Sequence, residues 1–408
     1  MEIVFRRVEE SGAHYYGLLA VLVVMLTAGL AAAYYMEHYG HIVTGMNNHI
    51  VWGTPHVFAV FLIVAASGAL NVASIASVFG KPAYKPLSRL SGLLALALLI
   101  GGLCILLLDL GRPDRLIIAM THFNFKSIFA WNVFLYTGFI AIVAAYLWSM
   151  MERRMGTYTR TIGTAAFVWR ILLTTGTGSI FGFLVAREAY ASAMLAPMFI
   201  ALSFSYGLAI YLLVLMAACR WTQRPLGDAI MLRLKKLLAI FIGAALYFVA
   251  IFHLTNLYFT KRHGFERFAL LDGGIYTLLF WLGEVVLGSL LPMLILFHPR
   301  LGKTNRGVAS AAALVVVGGM AQMYVTIIGG QAYPLELFPG AQVSSSYGDG
   351  LIHAYVPSMP EVFLGLGGVA IAGLLVLVGV KLLEFLPESL GDDAVAKDWS
   401  SARAPVDE

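Results

Sequence analysis

Two sets of residues in this chain have the types and spacing to move protons. The first is Leu108-Asp109-Leu110-Gly111-Arg112-Pro113-Asp114-Arg115, which sets acids, arginines and a helix-stopping proline directly after a long apolar run. The second is His56, reached through Trp52-Gly53-Thr54-Pro55, about two turns into the next-to-first apolar run. Imidazole exchanges its proton near neutral pH, and a nearby carboxylate can take a second one. Asp109 can equally form a structural salt bridge with Arg112 or Arg115, and His56 can be satisfied by a backbone carbonyl in a helix interface, although the carbonyl that Pro55 frees one turn earlier favours a functional role. Two more ionisable groups fall inside apolar runs. Glu284 is either a proton-relay element or half of a buried pair with Arg170. His253 lies near the end of its own run.

Polar residues without charge complete the set. Asn71, Asn132 and Gln322 fit interhelical hydrogen bonds better than ligand contacts. Gly176-Thr177-Gly178-Ser179-Ile180-Phe181-Gly182 has the glycine density of a phosphate loop but no strand before it. It fits close helix packing, with room for a flat ligand that the Thr177 and Ser179 hydroxyls can reach. Trp52 and Trp131 are candidate walls for such a ligand, and amphipathic rings of this kind are also common at membrane interfaces.

The elements that must position these residues are membrane spans. Of 408 residues, 60% are hydrophobic and 12% charged, about half the charge of a soluble domain. Apolar runs predict ten helices, near 13–36, 49–78, 88–109, 128–150, 162–186, 193–218, 235–258, 274–297, 307–328 and 360–386. Each approaches the ~20 residues that cross a bilayer, where backbone satisfaction demands helices. The fold expected is an all-α integral membrane protein, with helices two to five and six to nine as two four-helix bundles and the others flanking. With both termini cytoplasmic, nineteen of the 27 lysines and arginines fall on the cytoplasmic side, as the positive-inside rule requires. Arg6 and Arg7 ahead of the run 16–33 imitate a signal peptide, but that run exceeds a usual signal core, so it reads as an uncleaved helix. The loop 329–359 holds no lysine or arginine and many turn formers, as in Phe338-Pro339-Gly340 and Tyr347-Gly348-Asp349-Gly350. It reads as an ordered cover or docking loop. The tail 387–408 is polar and reads as disordered.

Composition also excludes some classes. No basic tract interleaved with aromatics supports nucleic-acid binding; the partner is the lipid bilayer. Cys104 and Cys219 are the two cysteines, too few for a four-cysteine iron–sulfur cluster or c-type haem. His56 and His253 give only a weak signal for haem b. Electrons passing through this chain need a diffusible carrier or cofactors on partner subunits.

Trp52-Gly53-Thr54-Pro55-His56, Leu108-Asp109-Leu110-Gly111-Arg112-Pro113, Asn124-Phe125-Lys126-Ser127-Ile128-Phe129-Ala130-Trp131-Asn132 and Glu284 followed by Pro292 resemble the NrfD/PsrC superfamily of membrane subunits. The resemblance covers most of the chain. Ten helices, Tyr355-Val356-Pro357 and Glu361 point to its HybB/DsrP branch, and 48–81 looks most like the DsrP type of the DsrMKJOP complex. The resemblance implies a quinone or quinol (menaquinone or ubiquinone) bound near the outer surface, with no haem or cluster in this chain. It implies a ferredoxin-like iron–sulfur subunit of the DsrO type on the periplasmic side, with a multihaem cytochrome and further membrane subunits. His56 corresponds to the quinone-contacting histidine and Asp109 to the acid after helix three. A tyrosine found near Thr177 and Ser179 in PsrC-type members is replaced here by smaller hydroxyls.

Together these readings predict a subunit, not a stand-alone enzyme, in a bacterial or archaeal cytoplasmic membrane. It would exchange electrons and protons between quinol and an iron–sulfur partner. His56 would bind the quinone and Asp109 take a proton under the influence of Arg112, with Glu284 and Arg170 on a proton path. A proton-coupled transporter and a passive anchor for an electron-transfer complex are the rivals.

Overall fold

The structure is a computed structural model that describes residues 4–8, 12–335, 348 and 350–393. Ten long helices carry it: α1 (Ala13–Tyr39), α2 (Thr54–Ser77), α3 (Pro82–Leu108), α4 (Ile128–Met151), α5 (Thr159–Gly182), α6 (Leu195–Trp221), α7 (Asp228–Tyr258), α8 (Ile275–Phe297), α9 (Asn305–Ala332) and α10 (Met359–Leu382). Among the described residues, nine of these, all but α5, are long and apolar enough to cross a bilayer. Helix α5 has the length, 24 residues, but its sequence is rich in threonine and carries Arg160 and Arg170.

The packing is the expected one. Helices α2–α5 close one ring of neighbours and α6–α9 a second; α2 and α5 join the rings through α6, while α10 leans on α2 and α3 and is covered by α1. Apolar surface alone does not drive helices together in lipid, so close backbone approach matters. Gly68 of α2 meets Gly207 of α6, where a Cβ on either would fall on the other helix's backbone. Gly288 of α8 and Gly318 of α9 form a similar crossing. Within α8, Leu279–Leu290 is wound as a π-helix, and α9 has a similar wide turn at Val325–Gly329.

Segments near both termini meet at one end of the molecule. Phe5 pairs with Pro387 and Arg6 with Leu386 in a two-stranded antiparallel ladder. Arg224 donates to the carbonyls of Arg6, Arg7, Leu386 and Pro387. Asp392 accepts from the Asp228 and Ala229 N–H groups at 3.2 and 3.0 Å, which caps α7. Disorder from Pro387 onward is therefore corrected: through Asp393 the chain is held, because it satisfies backbone groups that α7 leaves open. Residues 394–408 lie outside the described residues, as do Phe338-Pro339-Gly340 and Tyr347 of the long loop. The first four residues of that loop region are instead the last turn of α9.

Candidate functional site

The site forms at the end opposite the paired termini, where α2 begins and α3 stops. Pro55 sits in the first turn of α2, a position where a missing N–H costs nothing. His56 is consequently at the mouth of α2, not two turns inside it. The extended segment that precedes it is clamped by distant residues. Gln331 accepts from the N–H groups of Val51 and Trp52 at 3.0 Å each and donates back to the Trp52 carbonyl at 3.0 Å. Arg187 donates to the carbonyls of His49 and Gln331, both at 2.8 Å. Glu361, fully buried, accepts from Gly45 N and Ser358 N at 2.8 Å and from the Tyr355 hydroxyl at 2.6 Å. Tyr355 in turn accepts from Thr54 N at 2.7 Å. Burial first, and then the bond to Glu361, hold the Tyr355 phenol well above its ordinary range, so it stays a donor. Gly53 must be glycine, because a Cβ there would run into the Glu361 carboxylate and the Tyr355 hydroxyl.

This frame sets His56 against Asp109. Nδ1 of His56 is 2.9 Å from Oδ2 of Asp109, whose side chain is 1% exposed. On the other side, His41 places Nδ1 4.0 Å from Oδ1 of the same carboxylate. The shorter contact is at ion-pair distance yet outside hydrogen-bond alignment, so both carboxylate oxygens and both Nδ1 atoms are buried without a hydrogen bond. The distance outweighs the angle here, since catalytic contacts without ligand are often poorly aligned. His41 comes from a 3₁₀ turn after α1 and was not among the sequence candidates.

Arg112 does not join this group. Gly111 has φ +68, and the turn it makes sends the guanidinium outward to Asp114, at 3.0 and 2.9 Å. The pair is exposed; the hydrogen bond to Asp114 raises Arg112 above its ordinary value, and Arg112 lowers Asp114. In place of the alternative salt bridge from Asp109 to Arg112, the carboxylate faces two histidines.

Aromatic rings wall the histidine. Trp52 stacks near His56 with centroids 6.1 Å apart, meets Phe129 of α4 at 6.1 Å and meets Phe181 of α5 edge-on at 5.7 Å. Trp131 is half-exposed and belongs to a separate cluster with Phe125 and Phe134, its indole N–H bonded to the Phe125 carbonyl at 2.8 Å. The Thr177 hydroxyl bonds back to the Leu173 carbonyl at 3.0 Å and faces Tyr136 of α4. Ser179 is buried. The α5 residue that reaches Trp52 is Phe181. The glycines of this stretch serve packing: a Cβ on Gly178 or Gly182 would strike the backbone at Leu195 or Ser192. Asn132 ties α4 to α5 through the Gly176 carbonyl at 3.1 Å.

The structure does not bring Arg170 and Glu284 together. Arg170 is in the first bundle, bonded to the Ser67 carbonyl and sandwiched by Phe167 and Phe204. Glu284 is in the second, within the π-wound part of α8, with Oε1 buried and unbonded. Two cavities of about 20 and 30 Å³ adjoin it, each of water size. The larger also touches His253, whose Nδ1 is 2.7 Å from the fully buried Glu266. Tyr206 donates to Gln322 beside Glu284.

Comparison with known proteins places this chain in a family. Residues 42–334 match the model of "Polysulphide reductase, NrfD". The chain is 31% identical over 401 residues to the "Hdr-like menaquinol oxidoreductase integral membrane subunit" of Archaeoglobus fulgidus, covering 97% of this chain and 100% of the relative. It is 23% identical over 402 residues to a selenate reductase subunit of Mesobacillus selenatarsenatis, covering 89% and 92%. The chain belongs to the NrfD family and is a multi-pass integral membrane protein.

Proposed function

We propose that this NrfD-family chain is the quinone-interacting membrane subunit of a multisubunit oxidoreductase. The contact between His56 and Asp109, walled by Trp52, Phe129 and Phe181, is the observation that carries the reading. Its family membership and the menaquinol named for the archaeal relative support it. Oxidation of a quinol to a quinone releases two electrons and two protons. The electrons leave to an iron–sulfur partner subunit docked at the site face, because two free cysteines cannot hold a four-cysteine cluster. With Nδ1 of His56 turned to Asp109, Nε2 is the ring nitrogen left for a quinol oxygen. His56 takes one of the two protons and Asp109 the other. The bilayer is a bacterial or archaeal cytoplasmic membrane with the termini inside, and the complex is of the DsrMKJOP type with a DsrO-like partner. Trp131, Thr177, Ser179 and Arg112 act at most through the residues that touch the ring.

Glu284 is a second proton group in this reading. A carboxyl in the membrane interior, beside water-sized cavities and a wide helical turn, suits proton uptake. Arg170 has no place on that path, since it belongs to the other bundle. A transporter would show broken helices in matching halves; among the described residues the π-wound stretches are Phe268–Asp272, just before α8, and those within α8 and α9, whereas the first bundle's interruption is of another kind, a single turn at Leu70 in α2.

The test is electron transfer in the complex purified with its partner subunits. Reduced menadiol is added, and the iron–sulfur signal is followed by EPR in wild type and His56→Ala. General acid–base loss predicts a fall in rate of roughly 100-fold or more, with assembly intact. Equal reduction in both sinks the site. No reduction in wild type, together with no quinone reduction when the reaction is run backward, would favour the anchor.

A further inference from the structure

Resting on the quinol-oxidation reading above, we propose that His41 is the proton-exit residue of this site, forming with Asp109 and His56 a three-group relay from the ring pocket to solvent. Asp109 is the hub. Its side chain is 1% exposed and both oxygens lack a hydrogen bond, yet each faces a different imidazole Nδ1. A carboxylate kept only for structure is expected to have its lone pairs satisfied. One left open between two proton-exchanging rings is placed to receive from one and give to the other.

Surroundings, not exposure alone, order the three groups: the His56 side chain is 23% exposed against 33% for His41, but its ring is the one that faces the aromatic wall. The His56 ring abuts Trp52 at the mouth of α2. Asp109 is sealed, and the His41 side chain is 33% exposed. A proton therefore moves from His56 Nδ1 to Oδ2 of the carboxylate, a half-turn of the carboxyl group carries that O–H to the His41 side, and His41 Nδ1 takes it while Nε2 releases one proton to solvent. Each step moves one proton and no electron; the electrons follow the partner's clusters. The 4.0 Å gap has to close for transfer, which the relay assigns to movement of the His41 ring, and the protein leaves room beside that ring. A Cβ on Gly111 would stand 3.2 Å from His41 Nε2, so the glycine that turns the chain also clears the exit. Other charges near this edge are the Arg112–Asp114 pair, Arg115, which acts on Asp114, and Glu37, which acts on Arg112. None replaces His41 beside Asp109.

The experiment compares wild type, His41→Gln and His41→Ala in the purified complex, with menadiol as donor. Turnover, its KM, quinone affinity and the solvent deuterium isotope effect are read. Removing a proton-transfer group predicts a fall in kcat on the order of 10- to 100-fold. KM and quinone affinity should stay within about twofold, since His41 touches none of the aromatic walls. The isotope effect should rise, and added imidazole should restore His41→Ala severalfold. Unchanged kcat overturns the relay. So does a loss accompanied by weakened quinone binding and no imidazole rescue, which is the mark of a structural role. If wild type neither oxidises menadiol nor binds quinone, the functional reading itself fails and the relay falls with it, an outcome distinct from either variant result.

Discussion

Glu361→Ala should loosen the site from a distance, and the structure gives the size of the effect. The carboxylate accepts from Gly45 N, Ser358 N and the Tyr355 hydroxyl. Alanine orphans two backbone donors and one hydroxyl. A stranded buried donor costs about 1–3 kcal/mol, and polar contacts in membrane proteins average nearer 0.6 kcal/mol. Taking roughly 1 kcal/mol for each of the three gives a loss of about 3 kcal/mol. Glu361→Gln keeps an oxygen for the two N–H groups, and Tyr355 can turn its proton to Thr54 Oγ1, 2.9 Å away. That variant should lose about 1 kcal/mol. The two are compared by denaturant unfolding in micelles and by quinone binding. Because Gly45 and Thr54 bracket the segment that delivers Trp52 and His56, a reduced competent fraction should weaken quinone binding about tenfold in the alanine variant. Equal stabilities for Ala and Gln would refute the hydrogen-bond accounting. Lost stability with unchanged quinone affinity would refute the claim that this cap positions the site.

Two further outcomes follow from the packing and from the turn at Gly111. Gly207→Leu should prevent the α2–α6 crossing and abolish monodisperse protein, whereas Gly243→Leu, where a Cβ meets nothing within 4 Å, should purify normally; equal yields would remove the crossing from the account. Arg112→Gln should leave quinone affinity within about twofold, because the guanidinium is engaged by Asp114 in an exposed pair of little energetic weight; a tenfold loss in a binding titration would return the arginine to the site.

The helices were legible because apolar runs of span length admit few other structures. His56 and Asp109 were legible because ionisable residues beside such runs are rare and costly. His41 was not, because a histidine in a polar connection carries no such cost and gives no signal. The errors of one helical face have a simple origin. Phe129 and Trp131 are two residues apart, which turns them about 200° around α4, so choosing the tryptophan chose the outward side. On α5, Phe181 rather than Thr177 or Ser179 reaches Trp52, since it is the residue nearest the helix end where the site lies. Gln331 and Glu361 clamp a segment about 280 and 316 positions away. No spacing rule connects residues so distant, although Glu361 did stand out in the family resemblance.

Distances and bonds together say which part of the molecule holds the site in shape. The His56–Asp109 contact is short but poorly aligned, and Asp109 gains no hydrogen bond from either histidine. A buried carboxylate in that condition is destabilising, since desolvation is not offset by good geometry. The pair therefore cannot be what positions its own members. That task falls to the neutral and charged clamps on the backbone around it, Gln331 at Trp52, Arg187 at His49 and Glu361 at Gly45, every one aligned and at 2.8–3.0 Å. The division has a consequence for mechanism. In the function proposed above, the groups that exchange protons are loosely bonded, while the frame that aims them takes no part in the exchange. Substitutions in the frame should accordingly move binding and stability together, substitutions at His41 or His56 should move rates with little change in stability, and Asp109→Asn should slow turnover without loss of stability.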